Sequence, residues 1–216
     1  MKHCLRLSSV FLLLALCSCS NFYSQLKPTT ETHVASAMQY QPVFEKELYR
    51  GIIDGRFLLK KFHLSGILLF KKMEDSSTRV VFQNEMGISF FDFEWDRSDR
   101  FSVKQVIPQL DRPALIKTLQ KDLQLLMMRG IDITTERNFQ TSEALYQRYP
   151  LERGTVYYIS ENGQLKRIEN VGKKKVTTIF IGSKTTPTAL PETVLIKHHK
   201  ANFSIQLQKI DTHVDE

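Results

Sequence analysis

Short apolar runs separated by polar turns make up most of the chain after residue 45. The runs cover residues 48–53, 56–62, 64–72, 78–84, 88–96, 101–107, 155–160, 165–169, 173–181, 192–199 and 203–210. Turn residues lie between them, including Asp54-Gly55 and Asn162-Gly163, and the Asn-Gly pair is typical of a tight hairpin. Apolar runs with turns about every 8–12 residues predict an antiparallel β-sheet.

Residues 111–128 break this rhythm, because their apolar side chains recur at helical spacing. Asp111 is the expected N-cap, and Pro113 lies in the first turn, where its missing N–H is tolerated. Gly130 is the expected C-terminal cap. The apolar stripe consists of Leu115, Leu119, Leu123 and Leu126. A helix with one apolar stripe is expected to pack on the sheet.

The whole pattern predicts a mainly β (α+β) protein. We expect one curved antiparallel sheet, or an incomplete β-barrel, with one main amphipathic helix packed on it. The chain has 216 residues, a length that suits one domain, and no internal repeat is visible. Residues 131–153 are polar and irregular, so we expect them to connect the helix to the later strands without regular structure.

Several predicted strands are apolar on both faces, whereas an antiparallel sheet with one wet face alternates more strictly. Such strands need a covering on each side. The helix supplies one covering, and a bound lipid-like group or the rest of a curved sheet would supply the other. Candidate residues lining an apolar ligand are Leu68, Phe70, Phe91, Phe93 and Trp95. A two-layer core with nothing bound explains the same pattern.

The beginning of the chain reads as an export signal. Lys2 and Arg6 precede an apolar run over residues 7–16, which is too short to span a bilayer and has the length of a signal-peptide core. All three cysteines lie within the first nineteen residues. That distribution fits neither a disulfide scaffold nor a zinc site.

The export signal ends in Leu16-Cys17-Ser18-Cys19, which resembles the lipobox of bacterial lipoproteins. The resemblance implies cleavage after Ser18 and lipidation of Cys19 by diacylglycerol and fatty acids such as palmitate. Because Ser20 follows the cysteine, it also implies sorting to the periplasmic side of the outer membrane. The alternatives are an ordinary secretory peptide cut nearby and a short anchor that stays uncut.

These signals divide the chain into three parts. Residues 1–18 are the expected signal peptide, 19–44 a lipidated N-terminus with a flexible tether rich in Ser, Thr and Gln, and 45–216 a single β domain. The formal net charge is +7 and falls to +5 without Lys2 and Arg6. This excess favours ordinary solubility, with attraction to an anionic lipid surface as the alternative.

No motif for catalysis, metal binding or a cofactor stands out. Asp92, Glu94 and Asp96 alternate with aromatic residues and are expected to form a solvated row on one strand face. His198 and His199 would point to opposite sides of a strand, so they cannot share a metal. The basic run 173–175 suits an edge strand guarded by lysines, and export argues against a nucleic-acid partner. We expect no enzyme activity, no metal and no cofactor.

The domain resembles the LolA/LolB-like superfamily of bacterial lipoprotein carriers. The segments that carry the resemblance are Leu64-Ser65-Gly66-Ile67-Leu68-Leu69-Phe70, Arg79-Val80-Val81-Phe82, Met86-Gly87-Ile88, residues 190–196 beginning with Leu190-Pro191, and Phe203-Ser204-Ile205-Gln206-Leu207. The resemblance implies an incomplete antiparallel barrel whose concave face holds helices around an apolar cavity.

The leading hypothesis is therefore a non-enzymatic envelope lipoprotein, held in the membrane by its N-terminal lipid. Its concave sheet would bind a lipid, another apolar group or a lipoprotein. The alternative is a structural or interaction subunit of an outer-membrane or periplasmic complex. In that case the apolar interior is only core, and other envelope proteins are the partners.

Overall fold

A computed structural model describes residues 22–29, 34–57, 60–199 and 202–211. Its thirteen strands are β1 (Lys27–Pro28), β2 (Lys46–Phe57), β3 (Lys60–Lys72), β4 (Thr78–Gln83), β5 (Ser89–Trp95), β6 (Phe101–Val106), β7 (Arg137–Gln140), β8 (Leu145–Pro150), β9 (Thr155–Glu161), β10 (Gln164–Val171), β11 (Lys175–Ile181), β12 (Thr193–His198) and β13 (Phe203–Lys209). One α-helix, α1 (Pro113–Leu126), and 3-10 turns at Phe22–Gln25, Ala37–Tyr40 and Ile133–Thr135 complete the described elements.

The described strands form a single antiparallel sheet in the order β1-β7-β8-β9-β10-β11-β12-β13-β2-β3-β4-β5-β6. Strands β2 to β6 follow one another from the middle of the sheet to one edge. Helix α1 then connects β6 to β7, near the other edge, and β7 to β13 lead back to the middle, where β13 pairs with β2. Strands β1 and β6 are the two edges, so the curved sheet stays open. The predicted mainly β fold with one packed helix is confirmed.

The inner face of the sheet carries the main core. Successive strand residues point to opposite faces, and in β4 every second residue, Thr78, Val80 and Phe82, is buried. Helix α1 covers this face: Leu119, Leu123 and other apolar residues of its stripe belong to the same buried cluster.

The ends of α1 differ from the prediction. Arg112, in an extended conformation, occupies the N-cap position with no side-chain cap hydrogen bond, and Pro113 begins the helix. Asp111 is therefore one residue too early to be the cap. At the other end Met127 is the C-cap, and Met128 takes the left-handed conformation with φ 54°. Met128 thus occupies the position expected for Gly130, which has φ 64° two residues later.

The outer face of β8 to β10 has its own covering, which the N-terminal segment provides. The Tyr23 ring stacks on the Tyr157 ring at 4.8 Å, and Leu26 packs against the same small cluster. Farther along, Ala37 and Tyr40 are buried in the main core. The described residues of the expected tether therefore pack on the sheet, because their few apolar side chains find apolar surface there.

Two expectations about local structure are wrong. Residues 131–153 contain β7 and β8, although both have polar sequences; backbone pairing and buried hydrogen bonds, such as Gln147 Nε2 to the Ala35 oxygen at 2.9 Å, sustain them. Asp54-Gly55 is no turn but continues β2, paired with β3. The Asn162-Gly163 hairpin is confirmed, since both residues have positive φ.

The basic run 173–175 also has a different setting from the one expected. It joins β10 to β11, which lie inside the sheet with partners on both sides. No edge is present there to protect. Lys175 instead pairs with the buried Glu169 at 2.6 Å.

Replacing Leu119 by Asp tests the packing of α1. Leu119 is buried against the sheet, so the change places a carboxylate without a partner in an apolar core. We expect the free energy of unfolding to fall by about 3 kcal/mol or more, measured by thermal or urea unfolding. Lys117→Asp, at an exposed position of the same helix, should have little effect. Equal stability of the two variants would contradict this orientation.

Candidate functional site

The five predicted ligand-lining side chains lie together on the inner face of the sheet. Strand β4 lies between β3 and β5 and aligns them: Leu68 and Phe91 both pair with Phe82, and Phe70 and Phe93 both pair with Val80. All five belong to one buried cluster, and none is more than 3% exposed: Leu68, Phe70, Phe91, Phe93 and Trp95. We call these five residues the aromatic wall.

Ring contacts fill the aromatic wall. Phe91 and Phe93 are stacked with centroids 4.5 Å apart, and the Phe101 ring contacts both Phe93 and Trp95, at 5.2 and 5.1 Å. Such contacts stabilise beyond the area they bury. The indole Nε1 of Trp95 is buried and has no hydrogen-bond partner in the structure. It is thus an unused donor inside an apolar cluster.

A cleft of about 320 Å³ opens beside this wall, near the C-terminal end of α1. Two of its lining residues are next to wall residues. The Phe44 ring packs edge-on against Phe70 with centroids 6.0 Å apart, and Thr78 pairs with Trp95 across β4 and β5. Its cationic lining residues are Lys72, Arg97 and Arg129. Two other clefts, of about 370 and 400 Å³, lie elsewhere, and no wall residue lines any of the three.

Arg129 fixes the rim of this cleft. Its guanidinium donates to Thr78 Oγ1 at 2.5 Å and to the Asp96 carbonyl oxygen at 2.8 Å, and it pairs with the Asp99 carboxylate. The Gly130 N–H donates to the same carboxylate at 2.9 Å. These bonds join the end of α1 to the turns at one end of β4, β5 and β6.

A buried acid–histidine pair joins the middle of α1 to the sheet. Asp122 Oδ2 and His198 Nε2 are 2.7 Å apart, with side chains only 2% and 7% exposed. Burial raises the pKa of Asp122, and the hydrogen bond with His198 opposes that rise. His198 Nδ1 lies 3.3 Å from Thr177 Oγ1.

The hydrogen-bonded sequence of side chains, a hydroxyl (Thr177), an imidazole (His198) and a carboxylate (Asp122), is the one found in the nucleophile, base and acid of a hydrolase triad. Thr177, however, is 1% exposed, so a substrate could not reach its hydroxyl without unfolding of this region. The three residues therefore act as a polar connection between helix and sheet. Sequence reasoning missed Asp122, although its spacing of three residues from Leu119 places it on the apolar stripe.

A half-buried carboxylate, Glu136, holds the segment before the 3-10 turn at Ala37–Tyr40. Glu136 accepts hydrogen bonds from Ser36 Oγ at 2.6 Å, from the Tyr149 hydroxyl, and from Gln147 Nε2 at 3.1 Å. Burial alone would raise the pKa of Glu136, but these hydrogen bonds outweigh it and lower that pKa. At the last residue of the turn, Lys184 Nζ donates to the backbone carbonyl oxygen of Tyr40 at 3.2 Å.

Other residues that could support chemistry are placed as follows. His198 points inward and His199 outward to Thr178, which confirms that the two rings lie on opposite sides of β12. On the outer face Asp92 pairs with Arg79 and Glu94 with Lys104.

Asp96 follows the end of β5 and accepts backbone N–H bonds in the next turn, so it is not the third member of a strand row. Among the described residues, no group of three or more potential ligands could hold a metal ion. In the same part of the chain, no helix has the length and apolarity to cross a membrane.

Comparison with known proteins gives similarity of structure alone. No protein-family model and no curated protein matches the chain. An outer-membrane lipoprotein-sorting protein domain from Vibrio parahaemolyticus is 9% identical, with a TM-score of 0.46 over 83% of this chain and 91% of that one. A LolA superfamily protein from Nitrosomonas europaea is 7% identical, with a TM-score of 0.46 over 81% and 89%.

A DUF1329 family protein from Desulfovibrio piger is 7% identical, with a TM-score of 0.45 over 82% of this chain and 91% of that one. At these similarities we base the function on the chain's own residues.

The Asp122–His198 pair should show strong energetic coupling. His198→Phe leaves Asp122 buried without its partner, so we expect a loss of about 3–5 kcal/mol in the free energy of unfolding. The double variant Asp122→Leu/His198→Phe removes the stranded carboxylate and should recover most of that loss. Urea unfolding of both single variants and the double variant measures the coupling. Additive losses would show that the pair does not hold α1 to the sheet.

Proposed function

We propose that this protein is a non-enzymatic, lipid-anchored envelope protein that binds an apolar chain, such as the acyl chain of a lipid or lipoprotein, between its sheet and α1. The observation that carries the proposal is the aromatic wall: its five large apolar side chains from β3 and β5 form one inner surface together with Val80 and Phe82 of β4, which lies between them. No described catalytic or metal-binding constellation competes with it.

The anchoring part of the proposal rests on the sequence. The lipobox-like Leu16-Cys17-Ser18-Cys19 lies outside the described residues, and the described chain begins three residues later, at Phe22. A diacylglyceryl group together with an amide-linked fatty acid on Cys19 would hold the protein firmly, since each buried CH₂ contributes about 0.8 kcal/mol. Sorting to the outer membrane, as Ser20 favours, belongs to the same proposal.

Entry of an apolar chain requires movement, because rings fill the wall. The cleft beside Phe44 is the favoured entrance: moving Phe44 away uncovers Phe70. Lys72, Arg97 and Arg129 line the same cleft, where Lys72 pairs with Glu45 and Arg129 with Asp99. Arg97 is exposed and forms no ion pair within the described residues, so it is the cation available to the anionic head group of an amphipathic ligand. Trp95 Nε1 could donate to an ester or carboxyl oxygen that enters with the chain.

A second candidate is an interaction subunit that binds no ligand. The packing of the wall favours it, since every member is buried and none lines a cleft. Phe180 and Leu195, which stay exposed on the outer face at 44% and 38%, would then be docking residues. The two candidates differ in whether anything enters the wall.

Lipidation of Cys19 is tested by metabolic labelling with an alkyne fatty acid in the native host. The wild-type protein should be labelled and should fractionate with the outer membrane. Cys19→Ala should lose the label, whereas Cys17→Ala should keep it, because only Cys19 ends the lipobox. Equal labelling of Cys19→Ala and wild type would refute the anchor.

Apolar binding is tested with the only tryptophan as the probe. Trp95 is fully buried in the wall, so a brominated fatty acid quenches its fluorescence efficiently only when its chain comes close to the cluster. We expect saturable quenching for a chain that begins at Ser20, which contains every described residue. Native mass spectrometry of the same protein should detect co-purifying lipid.

The matched control for quenching is Trp95→Phe/Met86→Trp, which moves the probe to an 85%-exposed position in the turn between β4 and β5. Its quenching should be weak and should not saturate. Absence of saturable quenching for Trp95, together with a lipid-free mass spectrum, would favour the interaction subunit.

A further inference from the structure

We infer that the outer face of the sheet around Phe180 and Leu195 is the surface with which the protein lies against an anionic membrane. Three separate features of this face point to that partner: its apolar row, its unpaired cations and the place where the N-terminal segment meets it. Only the third uses the proposed anchor at Cys19.

An apolar row crosses the middle of the outer face. Phe180 pairs with Leu195, Leu195 with Gln206, and Gln206 with Ile52, so the four residues lie side by side on β11, β12, β13 and β2. Directly opposite residues in adjacent antiparallel strands share a face. Of the large apolar residues in the row, Phe180 and Leu195 are exposed and Ile52 is half-buried. A shallow cleft of about 400 Å³ runs along the same residues.

Cations flank this row. Arg50 and Lys197 are two residues away from Ile52 and Leu195 along their strands, so they lie on the same face, and both are exposed. Within the described residues, no ion pair involves either of them. Three carboxylates on this face pair with cations, Asp92 with Arg79, Glu94 with Lys104 and Glu169 with Lys175. A fourth, Asp54, is hydrogen-bonded to His63 at 2.8 Å. The face thus presents apolar side chains and net positive charge.

The N-terminal segment lies on the same face. Tyr23 stacks on Tyr157, and Tyr157 belongs to the row that continues through Glu169 and Thr178 to Lys197. The Tyr23 hydroxyl donates to Glu169. Phe22, next to it, is 51% exposed. The chain therefore meets the domain on its outer face.

This position limits how far the domain can be from the lipid. Three residue steps separate Cys19 from Phe22, and an extended chain covers about 3.3–3.6 Å per residue. With Cys19 in the membrane surface, Phe22 lies within about 10 Å of it. The outer face therefore faces the bilayer, whereas the inner face and α1 point away from it. Apolar side chains among cations suit an anionic bilayer surface.

Vesicle flotation of the unlipidated chain beginning at Ser20 tests this surface independently of the anchor. We expect binding to vesicles of phosphatidylcholine with phosphatidylglycerol and much weaker binding to phosphatidylcholine alone. Arg50→Gln and Lys197→Gln should each weaken binding about fivefold, and Phe180→Ser should weaken it further. The matched controls are Lys117→Gln on α1 and Val103→Ser on β6, which should bind like the wild type.

A labelled cysteine locates the contact. The chain from Ser20 contains no cysteine, so a polarity-sensitive dye on Leu195→Cys reports on that site alone. Its emission should shift to the blue on anionic vesicles, and the same dye on Val103→Cys should not shift. Equal binding of all variants, or equal dye shifts at both sites, would overturn the inference.

Two other results would separate this surface from a protein interface and from the proposed anchor. A dimer in solution that Phe180→Ser abolishes, without vesicle binding by the wild type, would make it an interface between copies and overturn the membrane proposal. If the wild-type protein carries no fatty-acid label but the chain from Ser20 still binds vesicles, the anchor is refuted and the membrane-binding surface stands. The two proposals therefore fail separately.

Discussion

Burial of the apolar stripe of α1 against the inner face is the contact on which the rest of the structure depends. The sheet has thirteen described strands but open edges, so strand pairing alone leaves its inner apolar face in water. Leu119, Leu123 and Leu126 cover that face, and each fully buried side chain of this kind contributes about 1.5–3 kcal/mol. The helix also links the two halves of the sheet along the chain, because it follows β6 and precedes β7.

The two faces of the sheet are covered differently, and this difference organises the protein. The inner face is covered by α1 and by the turn at Ala37–Tyr40, whereas the outer face is covered by the N-terminal segment only at β8 to β10. Apart from Thr178, strands β11, β12 and β2 keep their outer side chains exposed or half-buried. The uncovered part of the outer face is therefore the part left for another molecule.

Sequence patterns identified most of the fold, because burial on one face imposes a period of two on strands and a stripe on helices. They located α1 and the members of the aromatic wall. They failed at β7 and β8, where the polar residue Asn138 pairs with Gln147, and Gln147 pairs with Tyr158 of β9. The polar residues there take part in buried hydrogen bonds. A local sequence pattern cannot distinguish a polar residue that is buried in this way from one that is exposed to solvent.

The same limit applies to the candidate site. Apolarity on both faces of a strand indicates two coverings, but it does not identify them. The N-terminal segment supplies one at Tyr157, although it was expected to be a flexible tether. Asp122 is a polar residue on an apolar stripe, and its partner His198 is 76 residues away. Only the fold brings such a pair together, so no local motif could have predicted it.

The free energy needed to uncover the inner face differs between its two coverings, α1 and the segment that contains Ala37 and Tyr40. This difference indicates where an apolar chain would enter. Lifting α1 would expose four buried leucines, at a cost of about 6–12 kcal/mol, and would also break the Asp122–His198 pair. At about 0.8 kcal/mol per CH₂, a ligand would need roughly 8–15 methylenes to offset the leucines alone.

Moving the segment that contains Ala37 and Tyr40 would expose one large side chain and one small one, at about 3–4 kcal/mol, which roughly five methylenes offset. Its hydrogen bonds run from Tyr40 to the Gly163 carbonyl oxygen, from Gln41 to the Met128 carbonyl oxygen, from Ser36 to Glu136 and from Lys184 to the Tyr40 carbonyl oxygen. Each can be exchanged for bonds to water at a net cost of about 0.5–1.5 kcal/mol. An apolar ligand would therefore enter at the cleft beside Phe44, which Gln41 at the end of this segment also lines, while α1 stays in place. The contact that maintains the fold then need not break for the protein to bind.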